Sequence, residues 1–251
     1  MQYSFGSGSL MGRKLTTNGV TATNPTPVRF GGLQGVNIDM SFTTKELHGQ
    51  YQFPIALARG SGKVTGKAQF AQLNALALND LFFGESTAPA TGALATAVAE
   101  VGTVTANTVT VTHNTTYVQD LGVVDGTTGI VLSRVANSPS GTGNYSVNET
   151  TGVYTFNTAM NNLPVNITYS WTDATTGSTI TLTNKLMGSQ PTFLAVFTEV
   201  FNGKRVTFQL NNCISSQLTF ATKLEDFTIP DFTFAAFADA SGNVGKYSFD
   251  E

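Results

Sequence analysis

The stretch TVTANTVTVT (residues 103–112) alternates threonine with valine along most of its length. Successive side chains of a strand point to opposite faces, so this period of two predicts a half-buried β-strand. Further short runs rich in β-formers follow it and are separated by turn clusters such as Asp125-Gly126 and Pro139-Ser140-Gly141. About seven short strands in about a hundred residues predict a small immunoglobulin-like sandwich, with Trp171 as its core anchor.

The composition changes at both ends of this β-rich segment. Residues 86–184 contain 24 threonines against 15 in the rest of the chain, and one phenylalanine, Phe156, of the 18. Their charges are one basic and five acidic residues, whereas the flanks carry twelve basic and eleven acidic residues. These independent breaks predict that residues 86–184 form a domain inserted into a host domain, which consists of residues 1–85 and 185–251. The small-residue run 88–99 is predicted to be the linker that leads into it.

The host domain is also predicted to be mostly β. Residues 36–42 (VNIDMSF) alternate, and residues 53–57, 193–201, 205–210, 217–222 and 231–237 form further strand patterns. One helix is predicted over residues 68–83, where Phe70, Leu73, Ala77 and Leu81 form an apolar stripe that ends at Gly84. The fold class is therefore all-β with one flanking helix.

The bulk composition argues against some classes of function. Charged residues make up 12% of the chain and hydrophobic residues 41%, and the net charge is −3. A protein that grips nucleic-acid phosphates needs clustered lysine and arginine, so this balance argues against one. The N-terminal residues match no signal peptide, and no run of 18 apolar residues predicts a membrane span. Synthesis and retention in a cytoplasm fit best.

No group of residues forms a recognisable catalytic, metal or cofactor motif. The single cysteine, Cys213, is expected to be a small buried hydrophobe, and His48 and His113 are expected to be loop and surface histidines. Glu225 and Asp226, with Asp231 nearby, are the remaining acid/base candidates, and a solvated edge or subunit salt bridge is favoured for them. Asp120 and Asp125 are expected to cap turns. The prediction is a protein that is not an enzyme and holds no cofactor or metal.

The segment KELHGQYQFPIALARGSGKVTGK (residues 45–67) is the clearest functional feature of the host domain. It is polar, charged and aromatic at once, and glycines and a proline interrupt it. These properties predict a long connecting loop, and a connecting segment of this kind is typical of a surface that packs against another copy of the protein.

Several stretches resemble major tail tube proteins of tailed bacteriophages. They are SFGSGSL (4–10), PVRFGGLQG (27–35), residues 45–84, and residues 211–244 with NNCISSQLTFATKLEDFTIPDFTFAAFADASGNV. In the insert, QDLG (119–122) and GVYTF (152–156) resemble phrases of phage virion proteins that carry an additional β module.

The resemblance implies a β-barrel or two-sheet sandwich with a flanking helix, assembled into stacked rings of six. The tube would be a passage for double-stranded DNA, with other tail proteins at its ends, in a virion assembled in the bacterial cytoplasm. It also implies an arm at residues 45–63 that reaches neighbouring subunits. The expected interface residues are Lys45, Glu46, Leu47, Gln50, Tyr51, Phe53, Arg59 and Lys63.

The insert adds an expectation about the type of tail. A hundred-residue domain has a radius of gyration of roughly 13 Å, so six copies per ring cannot occupy the lumen. They would project outward, where a contractile sheath would otherwise sit. A flexible non-contractile tail is therefore predicted, with a weak contact to host-surface glycans as a role for the insert.

Three other functions remain open from the sequence. A head decoration protein or a tail terminator would also be all-β and lack enzyme motifs. An adhesin would use the sandwich at residues 86–184 to bind carbohydrate. A carboxylate glycosidase would require Glu225 and Asp226 to act as its acid and base.

Overall fold

The computed structural model describes residues 3, 5–17, 20–72, 74–85 and 90–250. The chain divides into two compact units, one formed by Met1–Pro89 with Ile180–Glu251 and the other by Ala90–Thr179. The sequence put these boundaries at 86 and 184.

Strands dominate the described residues, with short helical segments between some of them. The strands are β1 (Ser9–Thr17), β2 (Val20–Thr21), β3 (Val28–Arg29), β4 (Gly31–His48), β5 (Pro54–Gln72), β6 (Ala90–Thr103), β7 (Thr108–Thr110), β8 (Tyr117–Asp125), β9 (Ser133–Arg134), β10 (Asn144–Asn148), β11 (Val153–Phe156), β12 (Pro164–Thr179), β13 (Pro191–Phe201), β14 (Lys204–Thr219), β15 (Asp231–Phe237) and β16 (Gly245–Phe249). The helical segments are α1 (Ala75–Leu78), a π-helical turn (Asn79–Phe83) and two 3₁₀ turns (Asn114–Thr116 and Thr158–Met160). The all-β prediction is confirmed.

The first unit is built on one sheet whose pairings close on themselves. The order is β2-β1-β13-β14-β15-β5-β4, all antiparallel, and β16 pairs with β14. Strand β3 pairs with β1 and continues through Phe30 into β4, which pairs with β5. The Phe30 N–H also donates to the Leu10 carbonyl, at 3.0 Å. Both ends of the sheet are thereby joined, and the sheet forms a barrel.

A phenylalanine-rich core fills this barrel. Phe30, Phe70, Phe193, Phe232 and Phe234 are all buried and contact one another, with ring centroids 5.2–6.0 Å apart. Packed aromatic rings at these separations add about 1 kcal/mol per pair beyond the area that they bury. The high phenylalanine content of the flanks of the sequence therefore reflects the composition of this core.

The predicted helix over residues 68–83 is largely wrong. Ala68 and Phe70 are buried and Gln69 is exposed, which is strand alternation, and these residues pair with β15 as the end of β5. The helix begins only at Ala75, where the Asn74 side chain accepts from the backbone N–H groups of Leu76 and Ala77 at 2.9 and 3.3 Å.

The second half of the predicted stripe does face the core. Ala77 and Leu81 are both buried, and Gly84 ends the segment in the left-handed conformation, with φ of 61°. Leu73 lies outside the described residues. Short apolar runs fit periods of 2 and 3.6 equally well, so pairing with β15 decided the outcome.

Gly66 in β5 gives a direct test of this packing. A methyl group at this position would overlap the buried ring of Phe234, although the backbone of Gly66 is ordinary for a strand. We expect Gly66→Ala to destabilise the barrel by about 1–3 kcal/mol and to lower its thermal midpoint by roughly 5 °C. Calorimetry of the full chain measures this, with Gly35→Ala as the control because a methyl group at Gly35 would meet only the Gln69 side-chain oxygen, at an ordinary contact distance of 3.9 Å. Equal midpoints for the two variants would contradict the expectation.

The second unit is a sandwich of seven strands in two sheets, as predicted. One sheet has the order β7-β11-β10-β9 and the other β6-β12-β8. Strands β10 and β11 are sequential and pair within one sheet, whereas the corresponding strands E and F of immunoglobulin domains lie in opposite sheets. The strand order of this sandwich therefore differs from that of an immunoglobulin domain.

Three details of the insert differ from expectation. The run 103–112 is interrupted by a two-residue turn at Ala106 and Asn107, both at positive φ, and Thr105 and Thr108 exchange two backbone hydrogen bonds of 3.0 Å across it. The expected linker over residues 88–99 belongs to strand β6 from Ala90 onward, and residues 88 and 89 lie outside the described residues. Trp171 is only partly buried.

Tyrosines, rather than Trp171, provide the bulk of the sandwich core. Tyr145, Tyr154 and Tyr169 are buried, together with Phe156.

Across the described residues, no helix has the length and apolar character needed to cross a membrane.

Candidate assembly surface

The predicted loop over residues 45–63 is a β-hairpin, which corrects the expectation of an irregular segment. Strands β4 and β5 pair along their whole length, from Gly31↔Gln72 at the barrel to His48↔Pro54 at the tip. Beyond Met40 and Val64 the hairpin extends past the last pair that β5 makes with β15, Ala236↔Val64. We call residues 41–63 the arm.

Both faces of the arm are open to solvent. Every residue from 41 to 63 is exposed except Pro54, which is half-buried. Leu57 pairs with Glu46 and so shares a face with Phe42, whereas Leu47 pairs with Ala56 on the opposite face. The largest exposed apolar side chains are Phe53 at 80%, Tyr51 at 74%, Ile55 and Leu57 at 67%, and Leu47 at 60%.

Such an arm is unusual in an isolated protein. A two-stranded hairpin is marginally stable in water by itself, and a contiguous exposed apolar patch typically marks an interaction site. Burying one of these side chains is worth about 2 kcal/mol. The arm therefore has several times that free energy to gain from a partner that covers it.

The structure places all eight predicted interface residues on or at the base of this arm. Gln50 and Tyr51 lie in the turn between the two strands, and Lys63 lies at the base. The Glu46 carboxylate is 3.0 Å from the His48 ring nitrogen Nε2. The Arg59 guanidinium stands over the Phe42 ring, 4.1 Å from its centroid, a cation–π contact that holds a positive charge beside an apolar side chain.

Sequence reasoning missed four apolar members of this surface: Met40, Phe42, Ile55 and Leu57. All four are exposed. Phe42 was assigned to a half-buried strand face, and residues 53–57 to an ordinary host strand. The sequence did contain a signal for them. If the run that contains Phe42 pairs with residues 53–57 as a hairpin, Leu57 and Phe42 lie on the same face.

A groove of about 700 Å³ lies at the base of the arm. It opens where the arm, the end of β15 and strand β16 diverge, and Met40, Phe42, Val64, Phe237 and Tyr247 contribute its apolar lining. The groove continues the apolar surface of the arm onto the barrel.

Two of the three acidic candidates for catalysis, Asp226 and Asp231, are held by basic or amide side chains. The Asp231 carboxylate accepts from Gln69 at 2.9 Å and pairs with Lys67 at 2.9 Å, and these bonds lower the pKa of Asp231. Asp226 pairs with Lys223 at 3.6 Å on the surface. Within the parts of the chain that are described, no three side chains of His, Cys, Asp or Glu are arranged to hold a metal ion.

The two histidines lie in different environments. His48 lies in the exposed arm, and the His113 ring stacks on Trp171 with centroids 3.6 Å apart and planes 4° from parallel. Cys213 is fully buried in the barrel core, as expected, and burial raises the pKa of its thiol to about 12. A thiol with so high a pKa is a poor nucleophile at neutral pH.

Asp120, which was expected to cap a turn, does accept from the backbone N–H of Gly122 at 3.1 Å, and it also points into the sandwich from β8. Its side chain is 4% exposed and accepts from the hydroxyls of Tyr145 and Tyr154 at 2.7 and 2.9 Å, and Arg134 lies 3.8 Å away. Burial, together with these bonds, raises the pKa of both tyrosines. A carboxylate satisfied in this way stabilises the core and is not available to a substrate.

A second carboxylate repeats this arrangement. Glu100 accepts from the Tyr169 hydroxyl at 2.6 Å and from the backbone N–H and hydroxyl of Thr112 at 2.8 and 2.9 Å. Burial, followed by the bond to Glu100, raises the pKa of Tyr169 to about 12. Asp125, in contrast, caps a turn as predicted and accepts from the backbone N–H groups of Thr127 and Thr128.

Within the first unit, the segments that precede and follow the insert are held together by one set of contacts. Glu85 accepts from the Thr183 backbone N–H at 3.0 Å and from its hydroxyl at 2.9 Å. The Lys185 ammonium donates to the carbonyls of Phe83 and Gly84 and lies 3.2 Å from the Glu85 carboxylate. We call this set of contacts the neck; all of its residues belong to the first unit.

Acid should loosen the neck. The hydrogen bond from the Thr183 N–H is the main reason that the pKa of Glu85 lies below its ordinary 4.5. A lowered folded-state pKa means that the carboxylate stabilises the neck above pH 4.5 and that this contribution is lost as the pH falls through the lower, folded value. We expect Glu85→Gln to lower, at neutral pH, the protection of the amides of residues 181–185 relative to their intrinsic exchange rates, and we expect the wild type to lose this protection only in acid.

Hydrogen exchange followed by mass spectrometry measures this, with Asp39→Asn as a control for the loss of one exposed carboxylate. Unchanged exchange in Glu85→Gln would contradict the role assigned to the neck.

A comparison with protein-family models gives no match for this chain, and a comparison with curated proteins gives none either.

Proposed function

We propose that this chain is a structural subunit of a bacteriophage tail tube, which polymerises as stacked rings, expected to be of six copies, around a passage for DNA. The observation that carries the proposal is the arm, a long hairpin with apolar side chains on two uncovered faces. A subunit that is completed only by its neighbours requires such a surface.

Two further properties support the proposal. The closed, phenylalanine-rich barrel supplies a rigid body from which an arm can project. The chain carries a small negative net charge of −3, so it would not hold the phosphates of DNA that moves past it. The resemblance of residues 27–35, 45–84 and 211–244 to tail tube proteins points to the same function.

On this proposal the protein works in the virion and is assembled in the host cytoplasm with other tail proteins at the tube ends. The sandwich of Ala90–Thr179 would decorate the outside of a non-contractile tail, where a weak contact with host-surface glycans is open to it.

Electron microscopy of the purified full-length chain, with its mass measured in parallel by size exclusion, tests the proposal. We expect rings or stacked tubes with an open channel. A protein that stays monomeric on concentration, and also fails to extend tubes that are already initiated, would contradict the proposal. Binding of that monomer to preformed capsids or to tube ends would instead indicate a head decoration protein or a terminator.

A further inference from the structure

A second uncovered apolar segment lies in the first unit, between β14 and β15. It comprises residues 220–229, FATKLEDFTI. Leu224 is 93% exposed, Phe227 88% and Phe220 52%. We call these residues the distal loop.

The distal loop and the arm lie at opposite ends of the barrel. Strand β15 begins at Asp231, directly after the distal loop, and its pairing with β5 runs from Asp231↔Gln69 to Ala236↔Val64. The arm begins at the next residue of β5, Lys63. The six residues of β15 that pair with β5 span about 20 Å and separate the two features, and the arm extends away from the distal loop. An arm cannot reach the distal loop of its own chain.

The charges of the two segments are complementary. The arm carries Lys45, Arg59 and Lys63 against one acid, Glu46. The distal loop carries Glu225 and Asp226 against one base, Lys223, which already pairs with Asp226. Contact between two arms would place cation against cation, whereas contact between an arm and a distal loop joins opposite charges around apolar side chains.

We propose that the arm of one copy docks on the distal loop of the next copy. Because the two surfaces differ and lie at opposite ends, the contact is head-to-tail and leaves a free arm and a free loop at the two ends of every assembly. The inference rests on the proposed function, of which it names the contact between successive rings.

Three matched double variants of the full-length chain test the inference. The arm variant is Phe53→Ser with Leu57→Ser, and the loop variant is Leu224→Ser with Phe227→Ser. The control variant, Leu186→Ser with Met187→Ser, removes two equally exposed apolar side chains elsewhere on the same unit. All six positions are exposed, so folding should be unaffected.

We expect the arm and loop variants to stop at single rings, with the concentration needed for tubes raised about 100-fold. The control variant should form tubes as the wild type does. A mixture of the arm variant with the loop variant should give stacks of two rings and nothing longer, because one intact arm meets one intact loop. The mass of the mixture, measured by analytical ultracentrifugation, reports this directly.

Charge reversal gives an independent readout. Arg59→Glu should weaken stacking, and Glu225→Arg in the same chain should restore it. Tubes formed by the loop variant at the wild-type concentration would overturn the docking site and leave the proposed function standing, as would a mixture that forms no paired rings. A wild-type chain that forms neither rings nor tubes would overturn the proposed function itself.

Discussion

Replacing residues 43–61 with Asn-Gly is expected to give a folded, stable protein that no longer stacks into tubes. Phe42 and Gly62 are directly paired, and Asn-Gly is the preferred two-residue connection between paired antiparallel strands. The shortened hairpin should therefore close without strain.

The expected effect on assembly is large because of what is removed. Tyr51, Phe53, Ile55, Leu57 and Leu47 are the most exposed large apolar side chains of the arm. A few large buried anchors usually carry most of the free energy of an interface, so the loss of all five should raise the concentration required for assembly by more than about 1,000-fold.

The effect on folding should be small. The deleted residues are exposed, apart from half-buried Pro54, and they contribute nothing to the phenylalanine core. Calorimetry should give the wild-type midpoint within about 2 °C, and electron microscopy should show single rings and no tubes. Tubes of normal length from this variant would refute the role of the arm, and a large loss of thermal stability would show that the arm supports the barrel instead.

The second large effect is expected within the sandwich, on replacing Asp120 with alanine. The substitution leaves the Tyr145 hydroxyl without its acceptor and leaves the Tyr154 hydroxyl with the Tyr117 hydroxyl alone, and it removes the buried carboxylate that lies 3.8 Å from Arg134. Breaking a buried charged network in this way typically costs about 3–5 kcal/mol. For a unit of about ninety residues the midpoint of unfolding should fall by roughly 15 °C or more.

Two control variants test which property of Asp120 stabilises the sandwich, its acceptor oxygen or its burial. Asp120→Asn keeps an oxygen acceptor and should lose less stability than Asp120→Ala. Asp173→Ala removes a half-buried carboxylate that accepts from nearby Thr175 and Thr176, and it should cost no more than about 1 kcal/mol. Thermal unfolding of the full chain, followed by tyrosine fluorescence, measures all three. An equal shift for Asp120→Ala and Asp173→Ala would contradict the structural role given to Asp120.

The elements that sequence predicted well are those with one face buried. The strand at residues 231–237 was predicted with its observed bounds, because Phe232 and Phe234 enter the core while Asp231 and Thr233 do not. The division into two units also appeared in the sequence as a change from phenylalanine to threonine, since each core has its own composition.

Other features left no such pattern. The arm is exposed on both faces, so no alternation of apolar and polar residues indicates its strands, and it was predicted as a loop. Asp120 was assigned to a turn because aspartate is common there. Nothing local in the sequence shows that Tyr145 and Tyr154, 25 and 34 residues away, converge on it. The first miss concerns strands with no buried face, and the second concerns partners that are distant in sequence.

The neck has a consequence for how such a protein can change during evolution. The two ends of the insert, Ala90 and Thr179, are paired between β6 and β12, and within the first unit a hydrogen bond of 3.0 Å joins Glu85 to Thr183. A module whose ends lie side by side can be lost, acquired or exchanged at this point while the barrel keeps its own contacts. The same property makes the neck a suitable site for grafting a foreign domain, which a polymer of this subunit would present in many regularly spaced copies.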